Sequence, residues 1–131
     1  MTDLEAVKNA QRLTHIVLAV ERILRSVDGV SKEAFFTNED KQGNVVRCLE
    51  IIGEAANHVS TEIQAQNPDI PWTSIIVMRN NLIHGYNEVN YEFVWEAVQR
   101  DIIPLKDNAQ RILKGLPLPS DLDSCASAID F

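Results

Sequence analysis

One run of eight residues, from Arg79 to Tyr86, concentrates the side chains that could do chemistry. It reads RNNLIHGY and places a permanent cation, two amides, a titratable imidazole and a phenol in one short segment. An arginine can neutralise a phosphate, and a histidine can move protons near neutral pH. These two abilities are what cleavage of RNA without a metal requires.

Each of these side chains also has an ordinary structural explanation. His84 precedes Gly85, and a helix that ends in a glycine cap favours a protonated imidazole in its last turn. Arg79 alone is typical of a surface ion pair, and Tyr86 alone is typical of a half-buried packing residue. Arg79 and His84 stand five residues apart, about 140° around an ideal helix. They share a site only if the helix unwinds near His84 or if a second subunit completes the cleft.

The rest of the chain must supply the helices that position this run. Apolar residues recur at helical spacing from about 4 to 27, from about 38 to 66 and from about 73 to 84. A short loop through Phe35 and Phe36 is expected between the first two helices. Thr37 is a candidate N-cap for the second helix. The first two helices are long, and their apolar faces favour a helix-mediated homodimer.

The C-terminal part of the chain continues the helical pattern and then loses it. Asn90 can cap a further helix, which Pro104 kinks or divides before Gly115 ends it. The tail, 116–131, holds two prolines and scattered aspartates and is expected to be flexible or lightly docked. We therefore predict an all-α fold, an up-and-down bundle of four to five helices over residues 1–115, followed by an acidic tail.

Composition places the chain among ordinary globular proteins. It has 131 residues, of which 45% are hydrophobic and 24% charged, enough for one domain. No run of about 18 apolar residues predicts a membrane span, and the start of the chain lacks the pattern of a signal peptide. Cys48 and Cys125 have no metal-type spacing, so we expect free thiols in a reducing cytoplasm. No metal or cofactor is expected.

The charge balance argues against a general nucleic-acid binder. The net charge is −7, and residues 1–115 carry 12 basic and 16 acidic side chains, which is −4. Binding to nucleic acid draws its affinity from many lysine and arginine contacts to phosphates. If RNA is the substrate, the positive field must therefore be concentrated in a cleft.

A few other residues are candidates for that cleft. Arg47 and Glu54 are seven residues apart, so they share one face of the second helix and could line it, although a solvated helix face explains them equally well. His15 and His58 are expected to be structural or on the surface. Two tryptophans are expected to anchor the core or an interface rather than to stack on bases; they are Trp72 and Trp95.

The segment 72–105, which reads WTSIIVMRNNLIHGYNEVNYEFVWEAVQRDIIPL, resembles the HepT-type toxins of the HEPN superfamily. The superfamily signature is an arginine, a polar residue and a histidine four to six positions after the arginine. Arg79, Asn80 and His84 match it. The HepT branch extends the signature to Arg-x4-His-x-Tyr, which Tyr86 completes without a gap.

The likeness covers most of residues 4–114, and the segment IGEAA at 52–56 resembles the second helix of the family. The resemblance implies an α-helical homodimer that acts as a metal-independent endoribonuclease, with the paired motifs meeting in a cleft at the dimer interface. The usual partner is a small nucleotidyltransferase antitoxin of the MntA type. It transfers AMP from ATP onto the motif tyrosine, here Tyr86, and silences the nuclease.

The residue types agree with this activity. A neutral His84 could take the proton of the RNA 2′-hydroxyl, and a second, protonated imidazole, from the other subunit, could supply a proton to the leaving 5′-oxygen. Arg79 would hold the non-bridging phosphate oxygens, and Asn80 would orient the phosphate or the imidazole. The leading hypothesis is therefore a cytoplasmic toxin ribonuclease.

Two other classes of function compete with it. A non-catalytic HEPN binding module that assists a partner nucleotidyltransferase suits the acidic charge balance better. A purely structural helical dimer leaves Arg79 and His84 unexplained.

Overall fold

The first helix, α1, spans Asp3–Val27, as the sequence predicted. The computed structural model describes residues 1–84 and 89–118. For residues 83 and 84 it describes the helical backbone but not the side chains. Thr2 and Glu5 form a reciprocal capping box at the start of the helix. The inner face of α1 has no solvent exposure at four large apolar residues, which are Leu13, Ile16, Val20 and Ile23.

A short helix, α2, spans Lys32–Phe36, where the sequence predicted a loop. Ser31 caps it by accepting a hydrogen bond from the N–H of Ala34. Phe35 is fully buried, and the centroid of its ring lies 5.3 Å from that of Trp95. The loop prediction is wrong because five residues are too few to show a helical period, while burial of one aromatic ring fixes the segment.

The predicted helix over 38–66 is divided into α3, Glu39–His58, and α4, Thr61–Gln66. The hydroxyl of Ser60 accepts a hydrogen bond from the N–H of Ile63 and caps the second piece. The prediction of one continuous helix is wrong because an N-cap residue takes an extended backbone that interrupts the helix.

The N-cap of α3 is Asn38, whose side chain accepts a hydrogen bond from the N–H of Lys41. The predicted cap, Thr37, lies one residue too early. Its hydroxyl instead donates to the carbonyl of Ala34 at the end of α2, because α2 was not foreseen.

Two polar contacts fix α1 against α3, which run antiparallel. At one end the buried Asn9 accepts a hydrogen bond from the N–H of Ser60 at 3.0 Å and donates to its hydroxyl at 3.2 Å. At the other end the ammonium of Lys41 donates to the carbonyl of Ser26 at 2.8 Å. The two helices are therefore held in one register along their length.

The remaining helices are α5, Trp72–His84, α6, Tyr91–Arg100, and α7, Ile102–Gly115. Asn90 caps α6 as predicted, through a hydrogen bond from the N–H of Phe93. Pro104 lies in the first turn of α7, where a missing N–H is tolerated. The chain is thus divided just before the proline, one of the two predicted outcomes.

Several expectations fall outside the described residues. The predicted glycine cap at Gly85 does so, as does Cys125. Most of the predicted tail, from residue 119 onward, lies there as well. The domain boundary between residues 115 and 116 coincides with the end of α7 and stays a prediction.

The bundle is organised around α3, which packs against α1, α2, α5 and α6, while α7 packs against α1 and α6. Residues 1–84 and 89–118 contain helices and connecting segments but no strand, so the all-α prediction is confirmed. This part of the chain forms seven helices rather than four to five. The short helix α2 was not predicted, and two long apolar patterns are each divided into two helices, α3 with α4 and α6 with α7. None of the described helices is both long and apolar enough to cross a membrane.

Two predicted core features are confirmed. Trp72 is buried and its indole N–H donates to the carbonyl of Asn67 at 3.0 Å. Trp95 is partly buried against the core. Cys48 is a free, buried thiol, and burial raises its pKa.

Candidate active site

Arg79 lies in the middle of α5 and is held by two neighbours. One guanidinium nitrogen, Nη2, lies 2.6 Å from Oε2 of Glu54 on α3, and the other, Nη1, donates to Oδ1 of Asn80 at 3.0 Å. The side chain is 26% exposed. Its Nε is buried and has no hydrogen-bond partner among the described residues. The guanidinium is thus held in one orientation by two of its five N–H donors.

A close approach between α3 and α5 places this arginine. A Cβ added at Gly53 would overlap the Cβ of Arg79 and would lie 2.8 Å from its Cγ. Only a glycine allows the backbone of α3 to come so near to α5. Glu54, the next residue of α3, is thereby brought within ion-pair distance of the guanidinium. The glycine and the glutamate of the predicted IGEAA segment act together on Arg79.

Glu54 also binds a histidine one turn further along α3. Nε2 of His58 donates to Oε1 of Glu54 at 2.8 Å, so the carboxylate bridges His58 and Arg79. This hydrogen bond lowers the pKa of Glu54 against a partial desolvation, and the charges of Arg79 and Arg12 lower it further. Glu54 is therefore a charged group near neutral pH that orients both Arg79 and His58.

The cleft beside Arg79 has a volume of about 350 Å³ and is formed by α1, α3 and α5. Three arginines and two glutamates give its lining a charge of +1 with neutral histidines, in a chain whose net charge is −7. The sign of the charge is therefore reversed in the cleft relative to the whole chain. The lining residues are Arg12, His15, Arg47, Glu50, Ile51, Glu54, Ala55, His58 and Arg79.

The structure places both predicted lining residues, Arg47 and Glu54, in this cleft. It also brings in Arg12, His15 and His58, which were not predicted to belong to the site. His15 and His58 were expected to be structural or on the surface. The sequence held one signal for His58, because a spacing of four residues puts it on the same face of α3 as Glu54. It held no signal that α1 contributes Arg12 and His15 to the cleft.

His15 reaches the cleft from α1, one turn after Arg12. Partial burial lowers the pKa of His15, and the charge of Arg12 lowers it further. The imidazole therefore favours its neutral form near neutral pH more strongly than a free histidine does.

His84 is the last residue of α5, and Tyr86 lies outside the described residues. The α-helix extends through His84, so its backbone does not unwind ahead of that position. An ideal helix then separates positions 79 and 84 by about 140°. Of the two predicted routes to a shared site, early unwinding is not observed in α5, and completion by a second subunit stays a prediction.

The arrangement suits an anionic ligand. A guanidinium that is fixed in place and 26% exposed can bind a phosphate oxygen, and the surrounding positive charge favours a negatively charged group. In the part of the chain that the structure describes, no three His, Cys, Asp or Glu side chains group as a metal site.

Comparison with known proteins agrees with this geometry. The family model described as ribonuclease HepT-like matches residues 16–112. A protein of Caldanaerobacter subterraneus, named as a candidate RNase, is 36% identical over 102 residues, covering 78% of this chain and 91% of the relative. A protein of Thermococcus cleftensis, assigned by name to ribonuclease HepT, is 34% identical over 102 residues, covering 78% and 93%.

A third relative, from Methanocaldococcus jannaschii and also named as a candidate RNase, is 34% identical over 104 residues, covering 79% of this chain and 90% of the relative. No solved structure matches the chain with statistical significance. The predicted enzyme class is confirmed at the level of the family: the chain belongs to the HepT-like ribonucleases.

Proposed function

We propose that this protein is the toxin of a toxin–antitoxin pair, a metal-independent endoribonuclease that acts on RNA in the cytoplasm as a homodimer. The observation that carries the proposal is the position of Arg79. Glu54 and Asn80 hold its guanidinium in a cleft whose lining is positive although the chain is acidic. Membership of the family indicates the class of reaction, and the fixed guanidinium provides a group that can bind a phosphate.

The proposed reaction uses the nucleophile that RNA itself carries. A neutral His84 takes the proton of the 2′-hydroxyl, and the 2′-oxygen attacks the adjacent phosphorus. The bond from phosphorus to the 5′-oxygen breaks, and a second, protonated imidazole gives its proton to that oxygen. The products are a 2′,3′-cyclic phosphate and a 5′-hydroxyl. Arg79 stabilises the charge that builds on the non-bridging oxygens, and Asn80 orients the phosphate or the imidazole.

A second copy of the chain is the proposed source of the second imidazole. Because α5 stays helical through His84, Arg79 and His84 of one chain leave the helix at positions about 140° apart. A two-fold axis that passes beside α5 would bring Arg79 of one copy toward His84 of the other. This geometry supports the homodimer that the family resemblance implies.

The proposed regulation acts through Tyr86. A nucleotidyltransferase antitoxin of the MntA type would transfer AMP from ATP to the phenol, with loss of pyrophosphate. The added phosphate lies two residues from His84, so it would repel the RNA backbone and fill the space of the scissile phosphate.

The activity is tested with purified protein that has been produced without any partner. We expect wild type to cleave single-stranded RNA in the presence of a chelator and to leave cyclic phosphate ends. A substrate with one 2′-deoxyribose at the cleavage site should resist, because it lacks the nucleophile. His84→Ala should lower the rate by about 10²–10⁴. If unmodified wild type binds RNA without cutting it, the non-catalytic binding module is the better assignment.

The regulation is tested by coexpression with a nucleotidyltransferase encoded beside the gene. Intact mass should show one or more AMP units, and Tyr86→Phe should abolish them. Tyr91→Phe is the matched control, since Tyr91 packs near Phe35 at the start of α6, and it should still be modified. Neutralisation of the nuclease without any change in mass would contradict AMP transfer.

A further inference from the structure

A second arginine of the cleft, Arg12, has no carboxylate partner in the described part of the chain. Arg79 pairs with Glu54 at 2.6 Å, and Arg47 pairs with Glu50 at 3.5 Å. Arg12 forms no salt bridge with any residue that the structure describes, although it lies in the same cleft and is only partly exposed. Its positive charge therefore remains available to a ligand.

The charge of Arg12 acts on two other groups that line the cleft. It lowers the pKa of His15 on its own helix and that of Glu54 across the cleft on α3. The guanidinium of Arg12 is therefore near enough to interact electrostatically with the ion pair between Arg79 and Glu54. An anion bound at Arg79 would also be attracted by Arg12.

Arg47 extends the positive lining along α3 away from Arg79. The glutamates that pair with Arg47 and Arg79 are four residues apart, about 6 Å along the helix axis. This offset is wider than one phosphate group and comparable to the step between successive phosphates of an extended RNA strand. Arg47 and Arg79 are therefore placed to contact different phosphates of one chain.

We propose that Arg12 and Arg47 form a second phosphate site in the cleft, which binds the RNA phosphate next to the one that Arg79 holds. The inference rests on the proposed function, because it takes RNA as the ligand. It assigns these two arginines to the binding of the strand and leaves the bond-breaking step to the motif residues. The positive charge of the cleft is then used on two consecutive phosphates.

The test is equilibrium binding of a fluorescein-labelled RNA of about 12 nucleotides, a typical single-strand site size, with 2′-O-methyl riboses that prevent cleavage. Anisotropy titrations over a series of salt concentrations give the affinity and its salt dependence. We expect Arg12→Ala and Arg47→Ala each to weaken binding by about fivefold to tenfold at low salt. A plot of log K against log salt has a negative slope, and each variant should make that slope less steep by about 0.7, the value for one phosphate contact to a single strand.

The matched control is Arg100→Ala. Arg100 is 72% exposed and pairs with Glu96, as Arg47 is 71% exposed and pairs with Glu50, but it lies outside the cleft. It should leave both the affinity and the slope unchanged. Arg12→Lys, which keeps the charge, should retain most of the slope, and circular dichroism checks that each variant is folded.

The outcomes separate this inference from the proposed activity. If wild type does not cleave RNA but its binding depends on Arg12 and Arg47, the second phosphate site stands and the nuclease assignment fails. If cleavage depends on His84 while the folded Arg12→Ala, Arg47→Ala and Arg100→Ala variants bind equally to wild type, the second phosphate site is refuted and the nuclease assignment stands.

Discussion

Two concave surfaces of nearly equal size flank α5, and their chemistry differs. One is the arginine-lined cleft, about 350 Å³, between α1, α3 and α5. The other is a groove of about 320 Å³ lined by α3, α5, α6, α7 and the segment before α5, whose surface is mostly apolar. Ser74, Ile75 and Met78 of α5 face the groove, and the next residue, Arg79, faces the cleft.

One short helix thus serves two purposes on opposite sides. Successive residues of an α-helix are rotated by about 100°, so neighbours such as Met78 and Arg79 reach different surfaces. The apolar side anchors α5 on the core, where Trp72 and Ile75 are buried. That anchoring allows the other side to carry polar residues such as Arg79 and Asn80 without unfolding the helix.

The largest expected effect comes from exchanging single residues on the two sides of α5. Arg79→Ala should lower the cleavage rate by about 10²–10³, because it removes the group that stabilises the developing charge on the phosphate. Arg79→Lys should recover only part of that loss, since an ammonium lacks the planar pair of donors. Met78→Ala, on the groove side, should lower the melting temperature but leave the cleavage rate nearly unchanged.

Rates of RNA cleavage and thermal melts of the three variants make this comparison. An equal loss of cleavage in Met78→Ala, in a protein that remains folded, would show that the groove side is part of the active site and would contradict the division drawn between the two surfaces.

An intermediate effect is expected where α3 and α5 touch. Gly53→Ala should lower the free energy of unfolding by about 1–3 kcal/mol and reduce cleavage, since the added Cβ would overlap the side-chain stem of Arg79. Gly43→Ala in the same helix is the control. A Cβ there meets nothing within 4 Å, so we expect a gain of about 0.5–1 kcal/mol. Urea titrations measure both, and similar values for the two variants would refute the close approach.

The smallest expected effect concerns pH. Because the pKa of Glu54 is lowered in the folded protein, its contribution to stability is fully present above its ordinary pKa and is lost as the pH falls through the lowered value. The melting temperatures of wild type and Glu54→Gln should therefore differ near neutral pH and converge in acid. Glu62→Gln, an exposed glutamate without a salt bridge in the described residues, should track wild type throughout. Parallel curves for wild type and Glu54→Gln would exclude a role for the charge.

Local signals in the sequence were enough for the long helices. The bounds of α1 and α5, the start of α6 and the end of α7 follow from apolar spacing, from Asn90 as a cap and from Gly115, and the division near Pro104 was one of two predicted outcomes. The break at Ser60 has a local signal, since serine is a common N-cap, but the contact with Asn9 that holds Ser60 in place comes from 51 residues away. Phe35 was assigned to a loop because only tertiary burial makes its segment helical.

The candidate site divides in the same way. Arg79, Asn80 and His84 were visible because they form one contiguous motif. The ion pair of Arg79 with Glu54 was not visible, since it depends on the closeness that Gly53 permits between two helices. Arg12 lies on α1, which carries neither the motif nor Glu54, and no spacing in the sequence relates Arg12 to the motif. Groups that tertiary packing alone brings together leave no periodic trace in a single sequence.

The paired contacts at the two ends of α1 and α3 have a consequence for the chain between them. Asn9 is hydrogen-bonded to Ser60 at one end, and Lys41 donates a hydrogen bond to the carbonyl of Ser26 at the other. These hydrogen bonds and the packing of α1 on α3 together set the alignment of the two helices, so it does not depend on the length of the connecting segment. Lengthening that connection just after the end of α1 should leave the spacing of charges across the cleft intact, so this is the place where such a scaffold can accept added residues.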